Sequence, residues 1–440
     1  MSLAKKGLSD SKYYLIANVG NKALAFLIIP ILAKTVGVEQ FAIYDIFLIT
    51  SGIINIIIIL GIDSGIAILL AESKNNDTLL SFFYLSTLLI STAILFFISI
   101  ILMVILSYTD KFFLLNREVW GYIVLYELFV MINYHTFNFL RWRERAKEAS
   151  FVTLFSYMLG MLVGLYFLYI VEPTVESYLQ GLVIGLFLGA LISLYISRAY
   201  ILNFKVIDNA KQLLKELFKL SLPFVPSYLA NSFVQMADRV VILALFGQHE
   251  LGLYALVSKL ANIPQILLGT VTGGFMPVML GNYSTPKGQH LIKNFFHIYL
   301  LLIPVAFLIA YPLSDMAIEF FGGAEYAEGS YLLPMMLVSI LFINTTQANG
   351  FGYLIERKTH YIIYISFLAV AVNYMASFIF GYYLGLWGVI LGTLVTGIFI
   401  TYLYTYYSEK FYRFNYSFSL ITVITIVSLI LVIFNGKGAV

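Results

Sequence analysis

The chain has 440 residues, 61% of them hydrophobic and 11% charged, with a mean hydropathy of +0.91. A water-soluble domain carries roughly a quarter of its residues as charges to solvate its surface, so this composition excludes a soluble globular protein. No cysteine is present, which excludes disulfides, thiolate metal sites and a cysteine nucleophile. The formal charge of +3 is uninformative as a total; its distribution along the chain is not.

A helix needs about 20 apolar residues to cross a hydrocarbon core about 30 Å thick. The first apolar block, 11–34, is too long for a signal-peptide core and has no small-residue cleavage site after it. Further blocks follow at 41–62, 79–107, 119–140, 150–171, 177–197, 220–246, 251–281, 291–317, 330–353, 361–384, 387–408 and 417–434. These thirteen predicted spans should be helices, because a helix satisfies its own backbone groups in lipid and an open strand does not. The fold class is therefore all-α and polytopic.

Basic residues orient the spans. With the N-terminus in the cytoplasm, nineteen Lys and Arg fall on the inner side, including Lys5, Lys6, Lys12, Lys74 and the cluster Arg141, Arg143, Arg145, Lys147. Arg198, Lys205, Lys211, Lys215 and Lys219 also lie inside, and four fall outside: Lys34, Lys111, Arg117 and Lys437. A wrong count of spans would scramble this alternation. The long basic connection after the sixth span holds an amphipathic stretch, Asn209 to Lys219, of the kind that lies on a membrane surface. It divides the chain into an N-terminal six-helix lobe (1–200), a cytoplasmic linker (201–219), a C-terminal six-helix lobe (220–410) and an extra C-terminal span (411–440). The thirteenth span is long enough to cross. Abundant Ile, Phe, Tyr, Asn and Lys points to an AT-rich bacterial genome.

The two lobes carry a repeat. Gly37-Val-Glu-Gln-Phe-Ala-Ile-Tyr44 matches Gly247-Gln-His-Glu-Leu-Gly-Leu-Tyr254 at an offset of 210, and Asn21 falls on Asn231 at the same offset. Both copies begin on the same side, so the repeat is parallel, about an axis along the membrane normal.

With the lobes placed, one block of residues carries a family resemblance. It begins with Leu222-Pro223-Phe224-Val225-Pro226-Ser227 and continues through Asp238-Arg239 and Gly247 to Leu251-Gly252-Leu253-Tyr254. Ser258-Lys259-Leu260-Ala261 and Pro277 complete it. Phe321-Gly322-Gly323 to Tyr326, Asn373 and Gly385 to Gly388 support it. The chain resembles the polysaccharide-flippase branch of the MATE-like (MOP) exporters, the O-antigen and capsule repeat-unit flippases of Wzx type. The resemblance covers nearly the whole chain. It implies two pseudo-symmetric six-helix bundles forming a V around a central cavity, and alternating access without ATP hydrolysis. Such flippases often carry two helices after the twelfth; here there is one.

Charges at membrane depth are costly and mark cavities or pairs. Lys22 lies eleven residues into its span, about 16 Å from the inner end at about 1.5 Å per residue. Arg239 and Lys259 lie in the outer third of their spans; Glu127 and Asp238 are the acids. Ser227, Asn231, Gln235 and Asp238 form one face of span seven, at helical spacing. Tyr14, Asn18, Asn21, Lys22 and Ala25 make a stripe on span one, and Tyr254, Ser258, Asn262 and Gln265 on span eight. Together they predict a hydrated, net-cationic substrate cavity, with Asp238 or Glu127 as the ion-coupling group. Against this stand plainer roles: Asp238 and Arg239 neutralising each other, Lys259 reaching to the interface, and Asn and Gln serving as interhelical glue. No Walker motif and no metal-ligand spacing among the five histidines is present, so no nucleotide-driven pump, metal site or catalytic centre is expected.

The leading expectation is a flippase for an undecaprenyl-pyrophosphate-linked oligosaccharide, with cationic groups on the pyrophosphate and amides on the sugars. It needs no cofactor beyond a coupling cation, Na⁺ or H⁺. Its partners would be the polyprenyl-linked glycan, membrane lipid, and the polysaccharide polymerase and chain-length machinery; nucleic acid is not among them. The alternative is a Na⁺- or H⁺-coupled drug or metabolite exporter of the same fold. A glycan polymerase is disfavoured, because no large periplasmic loop exists to hold its site.

Overall fold

The computed structural model describes residues 3–63, 65–66, 69, 77–109, 111–202, 204, 207–358 and 360–436. Lys74, Lys205 and Lys437, used above for orientation, lie outside the described residues, as do the side chains of Lys5 and Lys6. Among the described residues the secondary structure is helical apart from one two-residue hairpin, β1 (Lys111–Phe112) and β2 (Leu115–Asn116). The first half holds α1 (Leu3–Ile59), α2 (Asp77–Tyr108), α3 (Arg117–Trp142), α4 (Ala146–Tyr166), α5 (Val175–Leu202) and α6 (Ala210–Ser221). The second holds α7 (Val225–Leu245), α8 (Gln248–Ala261), α9 (Ile263–Asn282), α10 (Pro286–Gly322), α11 (Leu332–Ile343), α12 (Thr346–Asn349), α13 (Phe351–Ile355), α14 (His360–Phe411) and α15 (Phe418–Gly436).

All thirteen predicted spans fall on these helices. Among the described residues, eight helical segments are long and apolar enough to cross a membrane, and α1 and α14 each contain two of the predicted spans. The spans that miss this standard are seven and eight, where the polar stripes sit, and the short thirteenth. The chain is a multi-pass membrane protein. Many large apolar side chains, such as Phe96, Phe97 and Met103 on α2, are exposed, as lipid-facing side chains should be.

α1 and α14 change direction inside their length at Gly37 (φ 77°, ψ 174°) and Gly385 (φ 68°, ψ −154°). Gly247 (φ 98°, ψ −164°) and Gly323 (φ 83°, ψ −174°) adopt the same conformation in the turns before α8 and after α10. That region is essentially restricted to glycine. The two glycines of the repeat thus share one backbone state, the structural counterpart of the sequence match.

Two spans read as continuous are interrupted. Span eight breaks at Asn262, because Pro264 lacks the N–H that would continue the ladder, and Asn262 Nδ2 turns back onto Ser258 O at 2.7 Å. Span ten divides into α11, α12 and α13 across an Asn344-Thr345-Thr346 run, whose side chains compete for backbone groups: Asn344 Nδ2 donates to Ile340 O and Thr345 Oγ1 to Phe342 O, both at 2.8 Å. α14 repairs the interruption through Thr345–Thr401 (2.8 Å), Asn349–Thr405 (2.9 Å) and the Gly352 N–H to Ser408 Oγ (3.1 Å).

The chain forms two compact units. Unit 1 is Met1–Val36 with Ile43–Leu229; unit 2 is Gly37–Ala42 with Ala230–Val440. In unit 1, α4 and α5 pack backbone to backbone: a Cβ added to Gly185 would meet Leu159 O at 2.4 Å. This is the close approach that small residues permit between membrane helices. The amphipathic α6 also belongs to this unit. Its apolar face is more embedded than a purely interfacial helix would be: Leu217 is fully buried, and Leu213, Leu214 and Phe218 pack against Ile62, Ile66, Phe82 and Phe83. Lys211, Lys215 and Lys219 remain exposed. In unit 2, α15 is tied down by Glu409, which accepts hydrogen bonds from the Phe414, Asn415 and Tyr416 N–H groups.

Candidate functional site

Among the described residues, each unit contains a polar cavity between its helices. That of unit 2 has a volume of about 400 Å³ and is walled by α7, α8, α11, α12 and α14. From α7 come Asn231, Gln235, Asp238 and Arg239; from α8, Tyr254 and Ser258; and beyond the break, Asn262 and Gln265. The span-eight stripe lines the cavity in full. The span-seven stripe does so from Asn231 onward.

Asp238 is 3% and Arg239 7% exposed. Asp238 collects three hydroxyl donors: Tyr254 Oη at 2.6 Å, Thr393 Oγ1 at 2.8 Å and Ser377 Oγ at 3.1 Å. Arg239 donates to Gln235 O (2.8 Å) and Ser258 Oγ (3.0 Å), and its guanidinium lies 5.0 Å from the centre of the Tyr254 ring. Both charges therefore rest in dedicated polar surroundings, the condition for retaining them away from water. One turn before Ser377 on α14, the fully buried Asn373 has no hydrogen-bond partner for either its Oδ1 or its Nδ2.

The cavity of unit 1 measures about 340 Å³ and is lined by Asn18, Ser51, Asn55, Tyr126, Glu127, Asn133, Tyr134 and Tyr157 with apolar neighbours. Glu127 is 1% exposed and accepts a hydrogen bond from Asn55 Nδ2 at 2.8 Å. Of the span-one stripe, Asn18 lines this cavity; Asn21 is half-buried, with an Oδ1 that lacks a hydrogen-bond partner, and Lys22 is exposed. Lys259 is half-buried outside both linings, its ammonium 5.8 Å from the Phe41 ring centre. The lining of unit 2 thus carries one acid and one base, and that of unit 1 one acid and no base. A net-cationic lining is not found within either cavity.

Several groups that line the cavities or hold their charged residues were not singled out from the sequence. Ser377 and Thr393 lie 139 and 155 residues from Asp238, beyond any local spacing signal. Asn344 and Gln347 line the unit 2 cavity from the interrupted span; the polar run in an apolar block was the visible sign of them. Asn55 and Asn133, a buried residue that accepts from Ser156 Oγ at 3.1 Å, could have been found the same way.

Residues 8–281 match the family described as polysaccharide biosynthesis protein. The chain belongs to that family. A capsular polysaccharide biosynthesis protein of Staphylococcus aureus, CapF, is 23% identical over 192 residues, covering 42% of this chain and 48% of that protein. The alignment therefore spans about half the length of that relative. An uncharacterized membrane protein of Haemophilus influenzae is 22% identical over 358 residues, 77% of this chain and 80% of that one. Among solved structures, a multidrug resistance MATE family transporter of the MOP superfamily, inward-facing, superposes with a TM-score of 0.67 at 17% identity, over 92% of this chain and 95% of that one. The lipid II flippase MurJ, inward closed, gives 0.65 at 17% identity, over 96% and 91%. At that identity the likeness shows a shared fold. Family and fold together bear out the MATE-like resemblance carried by the Leu222–Ala261 block.

Proposed function

We propose that this member of the polysaccharide biosynthesis family flips an undecaprenyl-pyrophosphate-linked oligosaccharide from the inner to the outer leaflet of a bacterial cytoplasmic membrane, by alternating access and with its N-terminus in the cytoplasm. The observation that carries this reading is the amide lining of the unit 2 cavity. Asn231, Gln235, Asn262, Gln265, Asn344 and Gln347 all reach it, around one balanced acid–base pair. Each amide offers both a donor and an acceptor, which matches sugar hydroxyls. A cationic drug would favour a lining with more acid than base, whereas Asp238 here is matched by Arg239. Lys22, exposed at membrane depth, is the group to meet the pyrophosphate; a charge-assisted hydrogen bond is worth about twice a neutral one. Asp238, with three hydroxyl oxygens and the unsatisfied Asn373 one turn from Ser377, is the group to bind a coupling cation.

The test is complementation of a flippase-null strain, scoring surface polymer with protein level controlled by blotting. Asn231→Ala/Gln235→Ala/Gln347→Ala should abolish display, and Lys22→Ala should impair it more than Lys22→Arg. Full complementation by the triple variant, or protection of the cells from cationic dyes by the unaltered protein, would replace this reading with the drug-exporter one.

A further inference from the structure

The corner between α3 and α4 carries three arginines at alternate positions, Arg141, Arg143 and Arg145, followed by Lys147. The turn is tight: the Arg143 N–H donates to Phe139 O at 3.1 Å and the Arg145 N–H to Leu140 O at 3.0 Å, while Glu144 takes a φ of 56°. The side chains therefore start from a fixed backbone, and each guanidinium meets aromatic rings. Arg143 lies 4.5 Å from the centre of the Tyr200 ring on α5 and 5.5 Å from that of the buried Phe139. Arg141 stands 5.5 Å from the Trp142 ring and 5.8 Å from that of Phe137. Arg145 donates to Tyr200 Oη at 3.0 Å and to Glu148 Oε1 at 2.8 Å. Lys147 and, from α1, Lys12 lie 5.6 and 5.4 Å from the centre of the Tyr13 ring.

The acids of this corner are Glu148, taken by Arg145, Glu144 in the turn itself, and Asp63, which interacts with Tyr134 beside Arg141. Lys12, Arg141, Arg143, Arg145 and Lys147 thus outnumber three carboxylates, a surplus suited to one phosphate or diphosphate. A guanidinium beside a ring is held by the ring's negative face. Being planar and weakly hydrated, it meets two oxygens of a phosphate with parallel N–H groups. The corner also marks the edge of the hydrocarbon. One turn along α4 from Lys147, Phe151 is 50% exposed and stacked on Phe155, and on α1 Leu15 and Ile16, just past Lys12, are 55% and 58% exposed. A ligand here meets cations and lipid-facing apolar side chains on the same two helices. Those are the surroundings of a phosphate that carries a hydrocarbon chain.

We propose that the α3–α4 corner binds the phosphate group of a lipid in the inner leaflet, with Arg141 and Arg143 on the phosphate oxygens and the lipid chain against α4 and α1. This is more specific than the bias of basic residues toward the cytoplasmic side, which lysine and arginine share. Lys211, Lys215 and Lys219 on α6, exposed in the same unit, supply that general charge; the corner adds ring-held guanidinium groups. The site goes beyond the glycan reading and does not require it, since the phosphate belongs either to a bilayer phospholipid or to a polyprenyl carrier.

The test titrates the delipidated full chain in detergent with farnesyl pyrophosphate, dioleoyl phosphatidylglycerol or inorganic pyrophosphate, counting bound molecules by native mass spectrometry. The two lipids should bind, and inorganic pyrophosphate should bind at least about tenfold more weakly, because it has no chain to bury. Arg143→Lys keeps the charge and loses the fork, and Tyr200→Leu removes the ring. Each should weaken lipid binding about tenfold, the lower end of what a hydrogen bond to a charged group contributes, with an unchanged elution profile in size-exclusion chromatography. Lys211→Ala/Lys215→Ala/Lys219→Ala removes three charges elsewhere in the unit and should weaken it less. Tighter binding of farnesyl pyrophosphate assigns the site to a polyprenyl carrier, and tighter binding of phosphatidylglycerol to the bulk leaflet; both support it. Native affinity in Arg143→Lys, an equal loss in the α6 variant, or inorganic pyrophosphate binding as tightly as the lipids would each overturn the proposal. Because no glycan enters the measurement, its failure leaves the flippase reading standing, and failed complementation leaves this site standing.

Discussion

Tyr254 donates its hydroxyl proton to Asp238 Oδ2 across 2.6 Å, while its ring faces the guanidinium of Arg239. One side chain on α8 therefore serves both members of the adjacent charged pair on α7. The phenol satisfies the acid, and the ring supplies the negative face that attracts the cation. Tyr254→Phe keeps the ring and removes only the hydrogen bond. It should fold, with stability lowered by about 1.5–3 kcal/mol, read as a fall in thermal midpoint in detergent. Tyr254→Ala should cost more, because it also leaves Arg239 without its ring. Equal effects from the two variants would show that the hydroxyl alone matters.

Gly185 tests the contact of α4 with α5. Its missing Cβ would sit 2.4 Å from Leu159 O, whereas a Cβ on Gly121 meets nothing within 4 Å. Overpacking costs about 1–3 kcal/mol where side chains can adjust, and here the obstacle is backbone. Gly185→Ala should reduce the yield of monodisperse protein in size-exclusion chromatography, and Gly121→Ala should not. Matching elution profiles would rule out the close packing.

Glu409 anchors the segment before α15 through three backbone N–H groups, supported by the Ser417 N–H to His297 Nε2 bond at 3.2 Å. Glu409→Ala leaves those donors to water. The exposed Arg413 lies within this segment, so limited trypsin digestion should cut there several-fold faster in the variant. An unchanged cleavage rate would mean that α15 is held by its apolar face alone.

Orientation follows from the basic residues and can be read in this cysteine-free chain. Asn209→Cys and Glu172→Cys both place a thiol on an exposed position. An impermeant thiol reagent added to intact cells should label Glu172→Cys and leave Asn209→Cys unlabelled. The reverse pattern would invert the topology.

The sequence by itself determined the solvent, the all-helical fold class and much of the polar face of one cavity. Apolar blocks of about 20 residues have one stable form in lipid, so all thirteen blocks lie on helices. The stripes on spans seven and eight were legible for a related reason. Polar groups at three- and four-residue spacing in an apolar helix share a face, and Asn231, Gln235, Asp238, Tyr254, Ser258, Asn262 and Gln265 do meet in one cavity. The glycines of the repeat were visible too, because the backbone state at Gly37 and Gly247 tolerates almost no other residue.

Only the tertiary structure decided what each charge meets. Asp238 is held by Ser377 and Thr393, hydroxyls from opposite sides of the Gly385 turn in α14, and no local pattern links residues that far apart. The structure also took Lys259 out of the cavity linings and seated Glu127 against Asn55, where the sequence could only place each at a depth. Depth along a helix follows from counting residues at a fixed rise. The direction a side chain faces, and the partner waiting there, depend on how the helices pack.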